Sequence, residues 1–264
     1  MDLYPEAFAA GQLIKKQSWL YKLVYQKAYS YKPVLLLALG KNQADYLKSS
    51  FGEAIKSIIL PCGVFINHAR RNDASNDRPS WKNENKIYLG YIGNIGEAHS
   101  VKFLKEVIRA IDTNKHRMIL VAYGSRANEI LEFANQHPEK VSILPFLKRT
   151  DLSFIDLHLA SLKKEWLHVC VPSKIVSAVH MGAAFLFFGP QEGDSWAYLS
   201  ESGWLIDEAH DLKAQINSFM KHLDQNGIKE KRKAAQLKSE SMVEDTSKAY
   251  DQLTEFLKNS NRSD

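Results

Sequence analysis

Three short stretches of the chain carry residue types that can hold an anion. In "GYIGNIGEAHS" (90–100), Gly93 and Gly96 follow an apolar run, with Asn94 and His99 in the same stretch. A glycine loop leading from a strand into a helix lets backbone approach a ligand, and the helix start offers free N–H groups and a positive dipole end. Such a loop holds phosphate; the same glycines also serve a plain tight turn, and a histidine there serves a plain helix start. In "VCVPSKIVSAVHMGAAFLFFGP" (169–190), Pro172 suits a first helical turn and puts Ser173 and Lys174 at a helix N-terminus. Lysine at that end opposes the dipole by roughly 0.3–1 kcal/mol, so it has a use where an anion sits in front of it and otherwise points into water. In "ILPFLKRTDL" (143–152), Phe146 either packs or marks a turn whose backbone reads the edge of a base. No serine-histidine-aspartate set, zinc spacing or Walker loop occurs, and no Asp-x-Asp pair suggests a metal.

These loops need a frame. From Lys86 onward short apolar strands alternate with amphipathic helices. Strands are expected at 86–93, 117–124, 140–147, 157–162, 183–189 and 203–206, and helices at 101–111, 127–137, after Pro172 and at 195–202. In the first helix Val101, Leu104, Ile108 and Ile111 share a face. Continuously apolar strands separated by helices predict a parallel sheet covered on both faces, a doubly wound α/β domain whose ligands bind at the carboxyl ends of the strands. Residues 1–67 hold only two strands and two helices, half a domain; 68–85 is polar and aperiodic and reads as a linker; 86–243 is the complete sheet domain; and 244–264 is a terminal helix packing back toward the N-terminal part. The amphipathic stretch 18–32, with lysines and aromatics interleaved, suits a membrane surface or a helix covering the N-terminal sheet; the latter is the simpler reading.

The 264 residues, 45% hydrophobic and 25% charged, can bury a proper core. The longest apolar runs are too short to span a bilayer, and no signal peptide is read at the start. A net charge of +5 favours phosphate-bearing ligands or an anionic surface without arguing for nucleic acid. The one basic cluster, 229–238, reads as the wet face of a helix, and the two cysteines, Cys62 and Cys170, as buried reduced thiols.

The loops, in this order, resemble the C-terminal half of a GT-B fold glycosyltransferase. The similarity is to the family 4 retaining enzymes of the bacterial branch that builds capsule, O-antigen and exopolysaccharide. "GNIGEAH" (93–99) matches that branch's "GN-x-G-x-AH/Q", "VPSK" (171–174) its "VPSK", "HMGAAF" (180–185) its "AAGRPV", "DLYPE" (2–6) its "DLWPE", and "PCGVF" (61–65) its "PNGVD". The resemblance spans nearly the whole chain. It implies that Gly93, Asn94 and Gly96 hold a donor diphosphate, with His99 where relatives often place a phosphate-binding lysine. It further implies that Pro172, Ser173 and Lys174 face the diphosphate and ribose, and that Lys174 stands at the second position of a paired-glutamate motif. Phe146, on the third of these loops, is counted with the donor-binding residues. The first glutamate of "EGLVVPSK" is replaced by Leu167 and His168, leaving Glu165 two residues early as a sugar contact; "AAGRPV" loses its basic residue and proline, and Phe65 stands for an aspartate.

The implied function is transfer of a sugar from a nucleotide-diphosphate donor, for which UDP-sugars are the common form, to a glycan or lipid-linked acceptor. No cofactor, metal or nucleic acid enters, and the setting is cytoplasmic, peripheral at the inner face of the membrane. The N-terminal domain begins near its middle on this alignment. A fragment, a split enzyme whose second chain supplies the missing half, and a non-catalytic nucleotide-sugar-binding remnant all stay open, as does a generic α/β domain whose loops are only turns.

Overall fold

The computed structural model describes residues 5–61, 78–83 and 85–260. Most of the expected linker, together with Cys62 and Phe65, lies outside the described residues. In chain order the elements are α1 (Glu6–Ala10), α2 (Trp19–Ala28), β1 (Leu36–Ala38), α3 (Lys41–Phe51), β2 (Ser57–Ile59), β3 (Ile87–Asn94), α4 (Val101–Ala110), β4 (His116–Tyr123), α5 (Ala127–Asn135), β5 (Val141–Ile143), β6 (Leu157–Ser161), α6 (Ser173–His180), β7 (Ala184–Gly189), α7 (Asp194–Leu199), β8 (Gly203–Asp207), α8 (Leu212–His222) and α9 (Gln225–Ser260). Short 3₁₀ helices cover Arg149–Phe154, Lys164–Trp166 and Ser200–Ser202.

Strands β3 to β8 form one parallel sheet in the order β5-β4-β3-β6-β7-β8. The chain enters at β3, winds out to β5, and returns on the other side of β3 with β6. The strand order therefore reverses between β3 and β6, and the crevice beyond their carboxyl ends is where such sheets bind ligands. Successive side chains of a strand face opposite sides, so both faces need cover. Leu186 joins Tyr91, Leu120 and Leu159 beneath α4, α5 and α8. Its neighbours Phe185 and Phe187 join Ala160, Val176 and Met242 beneath α6, α7 and α9.

A second, two-stranded parallel sheet pairs β1 with β2 and packs Leu36 and Ala38 on Ala44 and Leu47 of α3. The two parts are joined at the start of α3. Asn42 and Gln43 donate their backbone N–H groups to the two oxygens of Asp194 at 2.8 and 2.9 Å, so a carboxylate from the first residue of α7 caps a helix far away in sequence. Gly40 makes room, since a Cβ there would overlap Asp194.

The elements depart from expectation in four places. Strand β5 ends at Ile143, because Pro145 and the exposed residues after it cannot continue the ladder. A single helix, α9, runs from Gln225 through the expected division at 243/244 and buries Ala235 and Ser239; its basic cluster is only partly on the wet face, since Lys229 and Lys233 are exposed while Lys231 lies over the Trp204 ring at 5.7 Å and Lys238 over the Tyr198 ring at 3.6 Å; near its end Phe256 lies under Lys56 at 5.5 Å, beside β2. Helix α2 covers α3 rather than a sheet: Tyr25 Oη pairs with Ser50 Oγ at 2.8 Å and the Tyr29 ring packs, tilted by 54°, against Phe51, while Trp19, Leu20 and Leu23 stay exposed. Cys170 is only half-buried, because it lies in the loop before α6 rather than on a strand.

Candidate functional site

The crevice at the strand-order reversal is built by two loops laced together. His99 Nδ1 bonds the Ser161 carbonyl at 2.8 Å, the Ser100 N–H donates to Ser161 Oγ at 2.9 Å, and the Lys163 N–H donates to the Ala98 carbonyl at 2.9 Å. Ser100 also caps α4, accepting from the Phe103 N–H. The loop after β3 is thus fixed on both sides of the crevice.

Lys174, in the first turn of α6, reaches across to this loop. Its ammonium donates to the Asn94 carbonyl at 2.9 Å, lies 3.4 Å from His99 Nε2, and sits 5.1 Å above the Tyr91 ring. The Ser161 carbonyl can only accept, so His99 carries its proton on Nδ1 and turns the lone pair of Nε2 toward the ammonium. Burial, with the charge of Lys174 second, lowers the His99 pKa to about 4 and keeps the ring neutral. Burial also lowers the pKa of Lys174 to about 8. No described carboxylate forms an ion pair with this lysine. A desolvated ammonium held only by neutral acceptors is electrostatically unbalanced and suits an incoming anion.

Gly93 makes the approach possible. Its φ of +127° is a conformation that L side chains rarely adopt, and a Cβ there would stand 3.3 Å from Lys174 Cε. Gly124, just past β4, has φ +106°, and a Cβ on it would collide with the Asn94 side chain. Below the ammonium a cleft of about 330 Å³ runs down between β3 and α6, past Ile92, Ser177, Met181, Leu152 and His158.

Of the residues singled out from sequence, Gly93, Asn94, His99, Ser173 and Lys174 come together at the crevice; all but His99 line the cleft itself. Gly96 lies in the same loop but faces Ser125. Pro172 is buried at the position preceding α6 and lines a small separate cavity with Gln43 and Asp194. Phe146 is 66% exposed on the loop after β5, off the cleft wall, and Glu165 is exposed in the 163–166 turn near Glu208. The readings above missed Tyr91, Tyr123, Gly124, Ser161 and His158. Gly124 was accessible to the same rule as Gly93, being a glycine at the end of an apolar strand. His158 was visible only as a histidine inside an apolar strand.

No protein-family model matches the sequence, and no curated protein sequence matches it. Solved structures do match in shape. The chain is similar to the pneumococcal O-GlcNAc transferase GtfA, solved with UDP and GlcNAc, at TM-score 0.64 and 15% identity over 90% of this chain. It is also similar to Anabaena HepE, solved with UDP and glucose, at TM-score 0.62 and 15% identity over 96% of this chain. A third likeness is to WaaG, a glycosyltransferase involved in lipopolysaccharide biosynthesis, at TM-score 0.61 and 15% identity over 91% of this chain. The chain spans 47% of the first of these proteins and 69% of each of the other two. Its fold is that of the GT-B glycosyltransferases, with one complete Rossmann-like sheet domain and part of a second.

Proposed function

We propose that the chain binds a nucleotide-diphosphate sugar with its diphosphate at Lys174 and its nucleoside in the cleft below, and acts in transfer of the sugar to a glycan or lipid-linked acceptor. The observation that carries this reading is the uncompensated Lys174 ammonium at the strand-order reversal. It is supported by the positive end of α6, on which Ser173 and Lys174 stand, and by the glycine backbone of Gly93 opposite. Lys174 and the helix dipole would stabilise charge gathering on the leaving diphosphate, so that catalysis would rest on positioning and electrostatics. Neutral His99 would hold the ammonium in place. The retaining course, the family 4 assignment and the role in cell-surface polysaccharide are carried by the motif resemblance.

A non-catalytic binding role is the second reading, and one observation favours it: no carboxylate lines the cleft among the described residues. Incubating the chain with UDP-glucose and UDP-N-acetylglucosamine and following UDP release separates the two. Release that disappears in Lys174→Ala supports the enzyme. Saturable binding without release supports the binding subunit.

The reading places the chain in the cytoplasm at the inner face of the membrane. Between Ala7 and Ala44 the sequence has six lysines and no acidic residue, and Trp19, Leu20 and Leu23 of α2 are exposed among them. That combination suits an anionic bilayer surface. Sedimentation with vesicles containing anionic lipid, lost on Trp19→Ser with Leu23→Ser, is the expected result; equal binding by both proteins would contradict it. No helix among the described residues is long and apolar enough to cross a membrane.

A further inference from the structure

At the opposite end of the sheet from Lys174 lies another open cleft, of about 400 Å³, lined by Arg78, Lys82, Lys86 and Lys229. Lys86 immediately precedes β3, and Lys229 stands in the second turn of α9. The length of β3 separates this cleft from the crevice by roughly 20 Å. Among the described residues that line it Asp156 is the single carboxylate, so four cations face one anion.

That carboxylate is already engaged. Asp156 is buried, and its Oδ2 accepts from the Lys82 ammonium and, at 2.7 Å, from the Tyr88 N–H. Lys82 also lies over the Tyr88 ring at 4.6 Å, and its side chain is as buried as that of Asp156. Lys86 and Lys229 have no acidic partner among the described residues. Arg232, one turn beyond Lys229 on α9, brings a further positive charge toward the same place. Burial, with the charges of Arg232 and Arg78, lowers the pKa of Lys82 in spite of its bond to Asp156. Like charges gathered around one opening repel, and an anion entering it relieves that repulsion.

The lining says what kind of anion. Phe154 is its one apolar residue among those described, which leaves little to hold a nucleobase or an acyl chain. A lone carboxylate would answer one charge, whereas three cations remain once Asp156 is set against Lys82. A compact group with several charged oxygens answers more of them, and phosphate oxygens accept from lysine and arginine alike.

We propose that this cleft binds a multiply charged phosphate, held between Lys86 and Lys229 with Arg78 beside them. The ligand is a free polyphosphate or the phosphomonoester headgroup of a lipid, which share this chemistry. The site does not depend on the nucleotide reading of the crevice.

The test is calorimetric titration of inorganic tripolyphosphate into Lys174→Ala at physiological ionic strength, so that the crevice does not compete. Saturable binding is expected. Adding Lys86→Glu with Lys229→Glu should weaken it roughly tenfold or more, and adding Lys213→Glu, an exposed charge on α8, less than about twofold. Should the double reversal fail to fold, Lys229→Gln alone is expected to weaken binding about threefold. Vesicles containing phosphatidic acid, tested with Trp19→Ser and Leu23→Ser in place, then identify the source. Sedimentation that the Lys86 and Lys229 reversals abolish assigns a lipid headgroup; sedimentation that is absent or unchanged assigns a free phosphate. No saturable binding of tripolyphosphate to Lys174→Ala, or equal weakening by Lys213→Glu, overturns the inference.

Discussion

Lys174 is placed against its own electrostatic interest. It stands at the positive end of α6, is desolvated, and has a pKa lowered to about 8 by burial. A lowered lysine pKa means the unfolded chain binds this proton more tightly, so folding is disfavoured by the group at pH 7 and relieved as pH rises through 8 toward 10.5. Lys174→Met is therefore expected to raise the thermal midpoint of the ligand-free protein by a few degrees while weakening nucleotide binding, measured by calorimetry and thermal unfolding. A midpoint that falls would show that the contacts to Asn94 and His99 outweigh desolvation. In wild type, nucleotide affinity is expected to decline above about pH 8, where the free lysine loses its proton, and Lys174→Arg should abolish that decline. At this scale the sequence was informative where backbone chemistry is local: Gly93 after a strand and Lys174 after proline are legible as types at positions. It was silent where function depends on what faces a side chain. Nothing in "LHLAS" says that one nitrogen of His158 is left unpaired, and nothing in "AYGS" says that Gly124 yields to Asn94.

Elements place these residues, and the alternation of apolar strand and amphipathic helix was enough to read the sheet from β3 to β8. Helix α4 shows why: Val101, Leu104, Ile108 and Ile111 share a face and all are buried. The reading weakened where tertiary contacts override local pattern. Helix α8 went unread. The reach of α9 was read only in pieces, as a helix face at 229–238 and a terminal helix from 244, because its long polar stretches hide a sparse buried stripe of Ile228, Ala235, Met242 and Ala249. The cap on α3 is wholly non-local, since Gly40 offers no side chain and Asp194 supplies both oxygens from beyond β7. Asp194→Ala is expected to cost about 1–2 kcal/mol, by analogy with lost N-caps, and to expose the 40–52 region to hydrogen exchange before the six-stranded sheet. Protection that falls equally in both parts would show that the two sheets unfold as one unit. Gly40→Ala should reproduce the effect by displacing the same carboxylate.

Across the whole molecule the charges and buried histidines set the conditions under which the fold persists. His99, His116, His158 and His168 all have pKa values lowered by burial, to about 4 for His99 and His158. The unfolded chain takes up these protons near pH 6.5 and the folded one does not, so the stability held above that pH is lost as it falls toward 4. The thermal midpoint at pH 5 is expected to lie clearly below that at pH 7.5, and less so in His158→Leu; a flat profile would contradict the neutral, buried rings. The same whole-molecule view makes Lys174 intelligible, because the strand order reverses beside it and opens a cleft whose upper end is cationic and whose lower end is apolar. The most direct test is calorimetric titration of UDP into the wild-type chain and into Lys174→Ala at pH 7. Saturable binding to the wild type, weakened roughly 10- to 100-fold by the substitution, is the expected result for a charge-assisted phosphate contact. A well-folded wild type that binds no nucleotide, or binds it equally without Lys174, would contradict the assignment of this crevice to a nucleotide diphosphate.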